Sequence, residues 1–503
     1  MKNRGLLLFL MLAFYLPVSA ASGTYVITDY GAVGDGKTLN TTAIRQAIEA
    51  AKKAGGGRIV VPPGTYLTGT ILLASNMSLE LQAGAVLKGS SNVRDYSLPG
   101  EGETFSAGAR DTASIGLITV RDAVNVSILG PGTIDGSGTS FMDLEKLHNP
   151  IDYLPERTRQ RRDFTDPVFG SDDGPVLPRP RPERMILFSN CKNVVLRDLV
   201  LVDSPCWTVH LADCDGVNVD GVRIHNNMAI PNSDGIHCTS SKNIHISGCD
   251  IRAGDDGIIV SGLGDKAGVS EHVTVANCTI TSRSAGIRVG YGENDIRDCI
   301  FQNLVIYSSN RGLGVFARDN GSISNILFSD IIIDTRLHTG HWWGKGEPIH
   351  VSAIAQTGQK PVGQIQGVRF SNVQAKSQTG IVVYGVKESV IRDLWFDKVA
   401  LTITNGPLSE TYGGNFDLRP TANLSTNIFE HDIPGLYCGY VSGLRIRDFQ
   451  LRWQGDLCDY FTSGIKCENF EDVLIEGFDG TAAPTGGDSP PIELINGKGA
   501  TIR

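Results

Sequence analysis

The chain has 503 residues and carries 45 Lys and Arg against 54 Asp and Glu, a net charge of −9, which speaks against a protein built to neutralise nucleic-acid phosphates or to settle on anionic lipid. Hydrophobic residues at 41% and charged residues at 20% supply a sizeable core and exclude wholesale disorder. The 59 glycines follow no Gly-X-Y period and imply many tight turns rather than a collagen.

Residues 1–20 hold Lys2 and Arg4, an apolar run from Leu6 to Val18, and the small-x-small ending Val18-Ser19-Ala20. This is the pattern of a cleaved export signal and predicts a secreted or periplasmic protein. No other apolar run reaches the roughly 18 residues of a membrane span, so none is expected. Residues 41–54 read as one amphipathic helix, with Ile44, Ala47, Ile48 and Ala51 on a single stripe and Gly55 stopping it.

From there a short apolar strand, a small polar residue and a second strand recur: VVLRDLVL at 194–201, VNVDGVRI at 217–224, IHISGCDI at 244–251, VTVANCTI at 273–280 and ILFSDIII at 326–333. Taken as a ruler, Asp198, Gly221, Gly248, Asn277, Asn303 and Asp330 are spaced by 23, 27, 29, 26 and 27 residues, with weaker copies around Asn372, Lys398, Asp448 and Gly477. Alternation at two with abundant Val and Ile excludes helical repeats, and no leucine ladder supports a leucine-rich repeat. The pattern predicts an all-β fold: one right-handed parallel β-helix over residues 24–503, one coil per period, capped by the helix at 41–54. Two segments break the period and are expected as inserted loops: residues 138–184, with seven prolines and seven arginines, and residues 335–349, with His338, His341, Trp342, Trp343, Lys345 and Glu347. Two readings of Trp342 and Trp343 stand, packing against the solenoid flank or a platform for stacking sugars.

Ten cysteines are present. Cys191, Cys206, Cys214, Cys238, Cys249, Cys278 and Cys299 lie singly on apolar patterns and read as packed thiols, whereas Cys438, Cys458 and Cys467 leave room for one bridge. The absence of any C-x-x-C pair argues against structural zinc.

Asn232-Ser233-Asp234-Gly235 and Gly254-Asp255-Asp256-Gly257 are the richest chemical neighbourhood. From Asp234 to Asp255 and Asp256 is 21 and 22 residues, about one coil, so the three acids stack on neighbouring rungs about 4.8 Å apart. Like charges at that range cannot all ionise normally, and a proton donor beside ionised partners is what glycosidic cleavage needs. Each Asp-Gly is also an ordinary turn pair, and calcium is a second alternative, although that ion needs about six to eight oxygens and only three acids are in view. No cofactor and no metal are called for.

The run from Pro182, PERMILFSNCKNVVLRDLVLVDSPCWTVHLADCDGVNVDGVRIHNN and then PNSDGIHCTSSKNIHISGCDIRAGDDGI, resembles the glycoside hydrolase family that contains polygalacturonases, as do YVITDYGAVGDGKTLNTTAIRQAIEAA, VVPPGTYLTG and GPGTIDGSG nearer the N-terminus. The likeness covers roughly residues 24–335. It implies a right-handed parallel β-helix, hydrolysis of a pectin-type polysaccharide or oligosaccharide with inversion, Asp255 as general acid, and Asp234 with Asp256 holding the attacking water. Two motifs depart from the family: Ser284-Ala285-Gly286 stands for Gly-His-Gly, and Gly314-Val315-Phe316 for Arg-Ile-Lys. Both losses weaken the expectation of unsubstituted polygalacturonate. His237 and Arg288 are expected beside the acids. Arg288 and Arg318 stand near the vacated places, either as a replacement fork for a carboxylate or as solvated surface residues. With the two inserts walling the groove, exo action is expected from a chain acting as a monomer. The competing class is a non-catalytic β-helix that binds polysaccharide, and a lyase is disfavoured because no basic residue other than Arg288 lies near the acids.

Overall fold

The ruler residues of the sequence are the corners of the coils. In a computed structural model of the protein, which describes residues 23–97, 115–147, 175–264, 268–338, 342–358, 362–421, 428–430 and 432–503, all ten of them, Lys398 included, take the left-handed backbone region with φ between 50° and 68°. Glycine, asparagine and aspartate enter that region at least cost, which is why they mark the period. Corner side chains also bond along the stack: Asn372 Nδ2 donates to Asp330 Oδ1 at 2.6 Å, and a second corner column links Asn193 to Asn125 at 2.7 Å and Asn125 to Asn76 at 2.9 Å.

Between corners each strand pairs in parallel with its equivalents one coil before and one coil after. Asp215–Asp220, for example, lies between Lys192–Arg197 and Lys242–Ser247. The ladder begins at Gly23–Val26 and ends at Lys498–Ile502, so parallel coils continue past residue 334 among the described residues, and the solenoid is right-handed. Helix Thr41–Lys53 covers the first coil, burying Ile44, Ala47, Ile48 and Ala51 as the stripe requires. No described helix is long and apolar enough to cross a membrane.

Inward side chains repeat in register and form a continuous core. Phe301, Phe328, Phe370 and Phe396 stack with centroids 4.9, 5.0 and 5.3 Å apart and planes within 16° of parallel. All ten cysteines are buried free thiols. The bridge allowed for among Cys438, Cys458 and Cys467 is absent: Cys438 and Cys467 are register partners in the core but remain reduced.

One sheet is buried on both faces. Ile258, Ile259 and Val260 are all inaccessible, as are His237 and His350 on the same outward row. Part of the cover comes from residues 415–419, where the carbonyls of Asp417 and Leu418 accept from Arg311 and Arg318. Met142–Leu147 pairs antiparallel with Val176–Pro178 at the base of the first insert, and Asn415–Asp417 with Ile428–Glu430 in a third, unforeseen excursion. Residues 1–20, the middle of the first insert (148–174) and His341 lie outside the described residues.

Candidate active site

Asp234 and Asp256 occupy the same place on successive coils. Ile236 is the register partner of Ile258, and the N–H of Gly235 donates to the carbonyl of Asp256 at 2.9 Å. Each acid precedes a glycine for a steric reason as well as a turn: a Cβ on Gly235 would lie 2.3 Å from the carbonyl oxygen of Gly257, and one on Gly257 would lie 2.5 Å from that of Gly286. Glycine lets the coils close up at this corner and brings the acids together. Asp255 is one residue before Asp256, and all three carboxyls are nearly buried.

Their surroundings differ. Two donors and one charge converge on Asp256: Ser284 Oγ at 2.7 Å and the Ala285 N–H at 2.9 Å on Oδ1, and the Arg288 guanidinium in an ion pair, Nε 2.7 Å from Oδ2. Asp255 Oδ1 accepts the N–H of Asp256 at 2.9 Å, and its Oδ2 lies 3.4 Å from the donor Asn232 Nδ2. Asp234 Oδ1 has no hydrogen-bond partner among the described residues. Burial first, and then the neighbouring Asp256, push Asp234 up to about 8, against the pull of Arg288 and Arg184. Both causes favour the protonated form of Asp234 at neutral pH.

Behind Asp234 lies a stack of rings. His237 Nδ1 is 3.4 Å from Asp234 Oδ2, its Nε2 is 3.1 Å from Ser261 Oγ, and its ring stacks on Trp207 at 3.8 Å. Arg184 lies 3.7 Å over the same indole and donates from Nε to His210 Nδ1 at 2.9 Å. Burial, with Arg288, His210 and Arg184 nearby, depresses His237 well below the usual range, so its contact with Asp234 is not an ion pair. His237 is thus placed as a neutral support of Asp234, and Arg288 as the partner of Asp256.

The other expected contacts lie differently. Arg318 is buried, its Nη1 donating to the carbonyl of Ser352 and its Nη2 to Ser352 Oγ and the carbonyl of Leu418 at 2.9–3.2 Å, so its fork is spent on the protein rather than offered to a carboxylate or to solvent. Trp342 is buried with its carbonyl accepting from Arg419 at 2.6 Å, which is the packing reading, whereas Trp343 is half-buried with the Arg419 guanidinium 5.0 Å from its ring centre.

Several neighbours escaped the sequence. Ser284 stands at the first glycine of the departed Gly-His-Gly motif, and its bond to Asp256 has no signal in the sequence. Arg181, at the end of the first insert, donates to the carbonyls of Pro205 and Pro231 at 2.8 and 2.9 Å and to Asn232 Oδ1 at 3.1 Å, tying the insert to the residue beside Asp255. Its position in the Pro-Arg run was the only available signal. The one group of described side chains with metal-ligand spacing, Glu271, His272 and Asp298, lies on outer corners, with Glu271 paired to Arg297 at 2.7 Å.

Residues 175–410 match the family model described as glycosyl hydrolases family 28. Over those residues the chain is similar to glycosyl hydrolase family 28. A second model, rhamnogalacturonase A/epimerase, pectate lyase-like, matches residues 25–102. A probable polygalacturonase of Vitis vinifera is 28% identical over 316 residues, 60% of this chain and 58% of that protein. An exo-poly-alpha-D-galacturonosidase of Dickeya chrysanthemi is 28% identical over 258 residues, 48% of this chain and 42% of that one. The chain thus spans about half the length of these relatives. Its fold is shared with an exopolygalacturonase of Thermotoga maritima (TM-score 0.59, 22% identity, covering 76% of this chain and 87% of that one) and with a family 28 exopolygalacturonase of Yersinia enterocolitica (0.63, 20%, 93% and 79%).

Proposed function

We propose that the protein is an exported, inverting glycoside hydrolase that cleaves pectin-type polysaccharide or oligosaccharide from a chain end. The observation that carries this reading is the cluster of three nearly buried carboxyls in unequal environments, Asp256 held by Ser284, the Ala285 N–H and the Arg288 charge, and Asp234 with no hydrogen bond to Oδ1 among the described residues. Inverting hydrolysis needs one acid at the leaving oxygen and one base on a water at the opposite face of the sugar. Asp255 donates to the leaving oxygen, as the resemblance implies. Asp256 takes the proton of the water. Asp234, protonated, faces the same water without adding a second negative charge. A protein that only binds polysaccharide gains nothing from acids whose mutual repulsion costs stability. The galacturonate- or rhamnogalacturonan-related nature of the substrate, and export, follow from the family, from the names of the relatives and from residues 1–20. Action at a chain end is supported by residues 415–419, which cover part of the sheet along from the acids.

The test is release of reducing sugar from a panel of pectins by the wild type and by Asp255→Asn. An amide keeps the shape but cannot donate the proton, so the variant should lose about 100-fold or more on polysaccharide while retaining far more activity on an aryl glycoside whose leaving group needs no proton. Equal losses on both substrates would remove Asp255 from the acid role, and full activity on polysaccharide would remove it from catalysis.

A further inference from the structure

Beyond the acids, two segments far apart in sequence are locked together by four buried charges. Asp417 accepts from Arg419 twice, Nε to Oδ1 and Nη2 to Oδ2, each at 2.9 Å, and from the N–H of Gly344 at 2.6 Å. Its own N–H donates to Glu347 Oε1 at 3.0 Å. Arg311 Nη2 donates to the carbonyl of Asp417 at 3.0 Å, and Arg311 Nε is 3.7 Å from Glu347 Oε2. Glu347 Oε2 also accepts the N–H of Lys345 at 2.6 Å. Two carboxyls and two guanidiniums, all at most 5% exposed, therefore fasten residues 342–347 to residues 415–419.

The position of this knot follows from the register. Arg311 is the partner of Ala285, whose N–H bonds Asp256, and Glu347 follows one coil later, its carbonyl accepting from Gly312 at 2.9 Å. Arg311 thus stands two rungs beyond Asp256 on the same column, about 10 Å along the groove. An exposed ion pair contributes little to holding a loop, but here the two segments are joined by several hydrogen bonds to the same two buried carboxyls, so opening would have to break them together. The half-buried Trp343 lies on this wall, against Arg419.

We propose that this clasp, with Asp417 as its node, is the end stop of the groove, the positioning element that makes the enzyme accept a chain end rather than the middle of a polymer. The inference rests on the hydrolase reading above and adds to it the residues that decide where the polymer stops.

The experiment compares the wild type with Asp417→Asn and Arg419→Gln on polygalacturonan and on a short oligogalacturonide, following viscosity, product size and turnover. The amide of Asp417→Asn keeps the shape and an acceptor for Gly344, and Arg419→Gln leaves Asp417 paired with Arg311, so thermal melting identifies at least one folded variant for the comparison. Wild type should release only mono- or disaccharide. A folded variant should give mixed longer products and roughly tenfold more viscosity loss per bond cut, with turnover of the short oligosaccharide changed much less. Wild-type end products together with unchanged end products in a folded variant overturn the clasp proposal alone. Mixed oligomers from the wild type at the earliest times overturn end-on entry and the clasp together. No hydrolysis by the wild type on any pectin overturns the enzymatic reading and the clasp with it.

Discussion

Replacing Asp234 by asparagine should make the protein more stable and less active, and the gain in stability should appear only above acidic pH. In the folded protein the Asp234 carboxyl is held up to about 8 by burial and by Asp256, whereas its ordinary value is 3.8. An acid raised in this way binds its proton in the folded state over a pH range where the unfolded chain has already released it. Stability is therefore fully present below about pH 4 and is lost progressively as pH rises to about 8. At about 1.4 kcal/mol for each pH step between the two values, the cost at pH 7 is about 4 kcal/mol. The amide mimics the protonated acid and carries no such cost. Asp234→Asn should thus match the wild type in urea midpoint at pH 4 and exceed it increasingly from pH 5 to pH 8, while polysaccharide turnover falls less than in Asp255→Asn, because the amide keeps the neutral charge but not the hydroxyl that the carboxyl presents to the water. Parallel midpoints for the two proteins across this range would refute the claim that Asp234 is held protonated.

Arg288→Met should cost about 3–5 kcal/mol in unfolding experiments, because it leaves the Asp256 carboxylate buried without its charged partner; turnover should fall with it, and the double variant with Asp256→Asn should recover much of the lost stability. Asp417 shows the opposite pH dependence to Asp234: burial alone would raise it, but Arg419 and Arg311 hold it below the usual carboxylate range, so its contribution is present above about pH 4 and is lost on further acidification. Asp417→Asn should accordingly flatten the loss of wild-type stability below pH 4, read as the thermal midpoint between pH 2 and pH 5. In the core, Phe370→Ala removes a ring flanked on both sides at 5.0 and 5.3 Å and should lower stability by about 3–5 kcal/mol with the product pattern unchanged.

The sequence by itself determined what repeats locally. A solenoid writes its period into the chain, and because the left-handed corner favours Gly, Asn and Asp, residues such as Asp198, Gly248 and Asn277 mark each coil in the sequence itself. The same arithmetic put Asp234 and Asp256 on adjacent rungs, since 22 residues make one coil, and Gly235 and Gly257 are required by the close approach of those rungs. The stripe on helix Thr41–Lys53 was equally legible, being a matter of spacing within one element.

Only the tertiary structure decided the partners of the acids. Arg288 turns to Asp256 rather than to an open cleft, Arg318 is spent on Ser352 and Leu418, and Arg181 returns from the first insert to hold Asn232. Asp417 lies 106 residues from Arg311, in an excursion that no period announces. The physical reason is that a coil's geometry is set by its own residues and its immediate neighbours, so its signal is local and repeated. An insert's path is set instead by where its few charged and aromatic side chains find buried partners on distant coils, and those pairings, each occurring once, leave no pattern along the chain to be read.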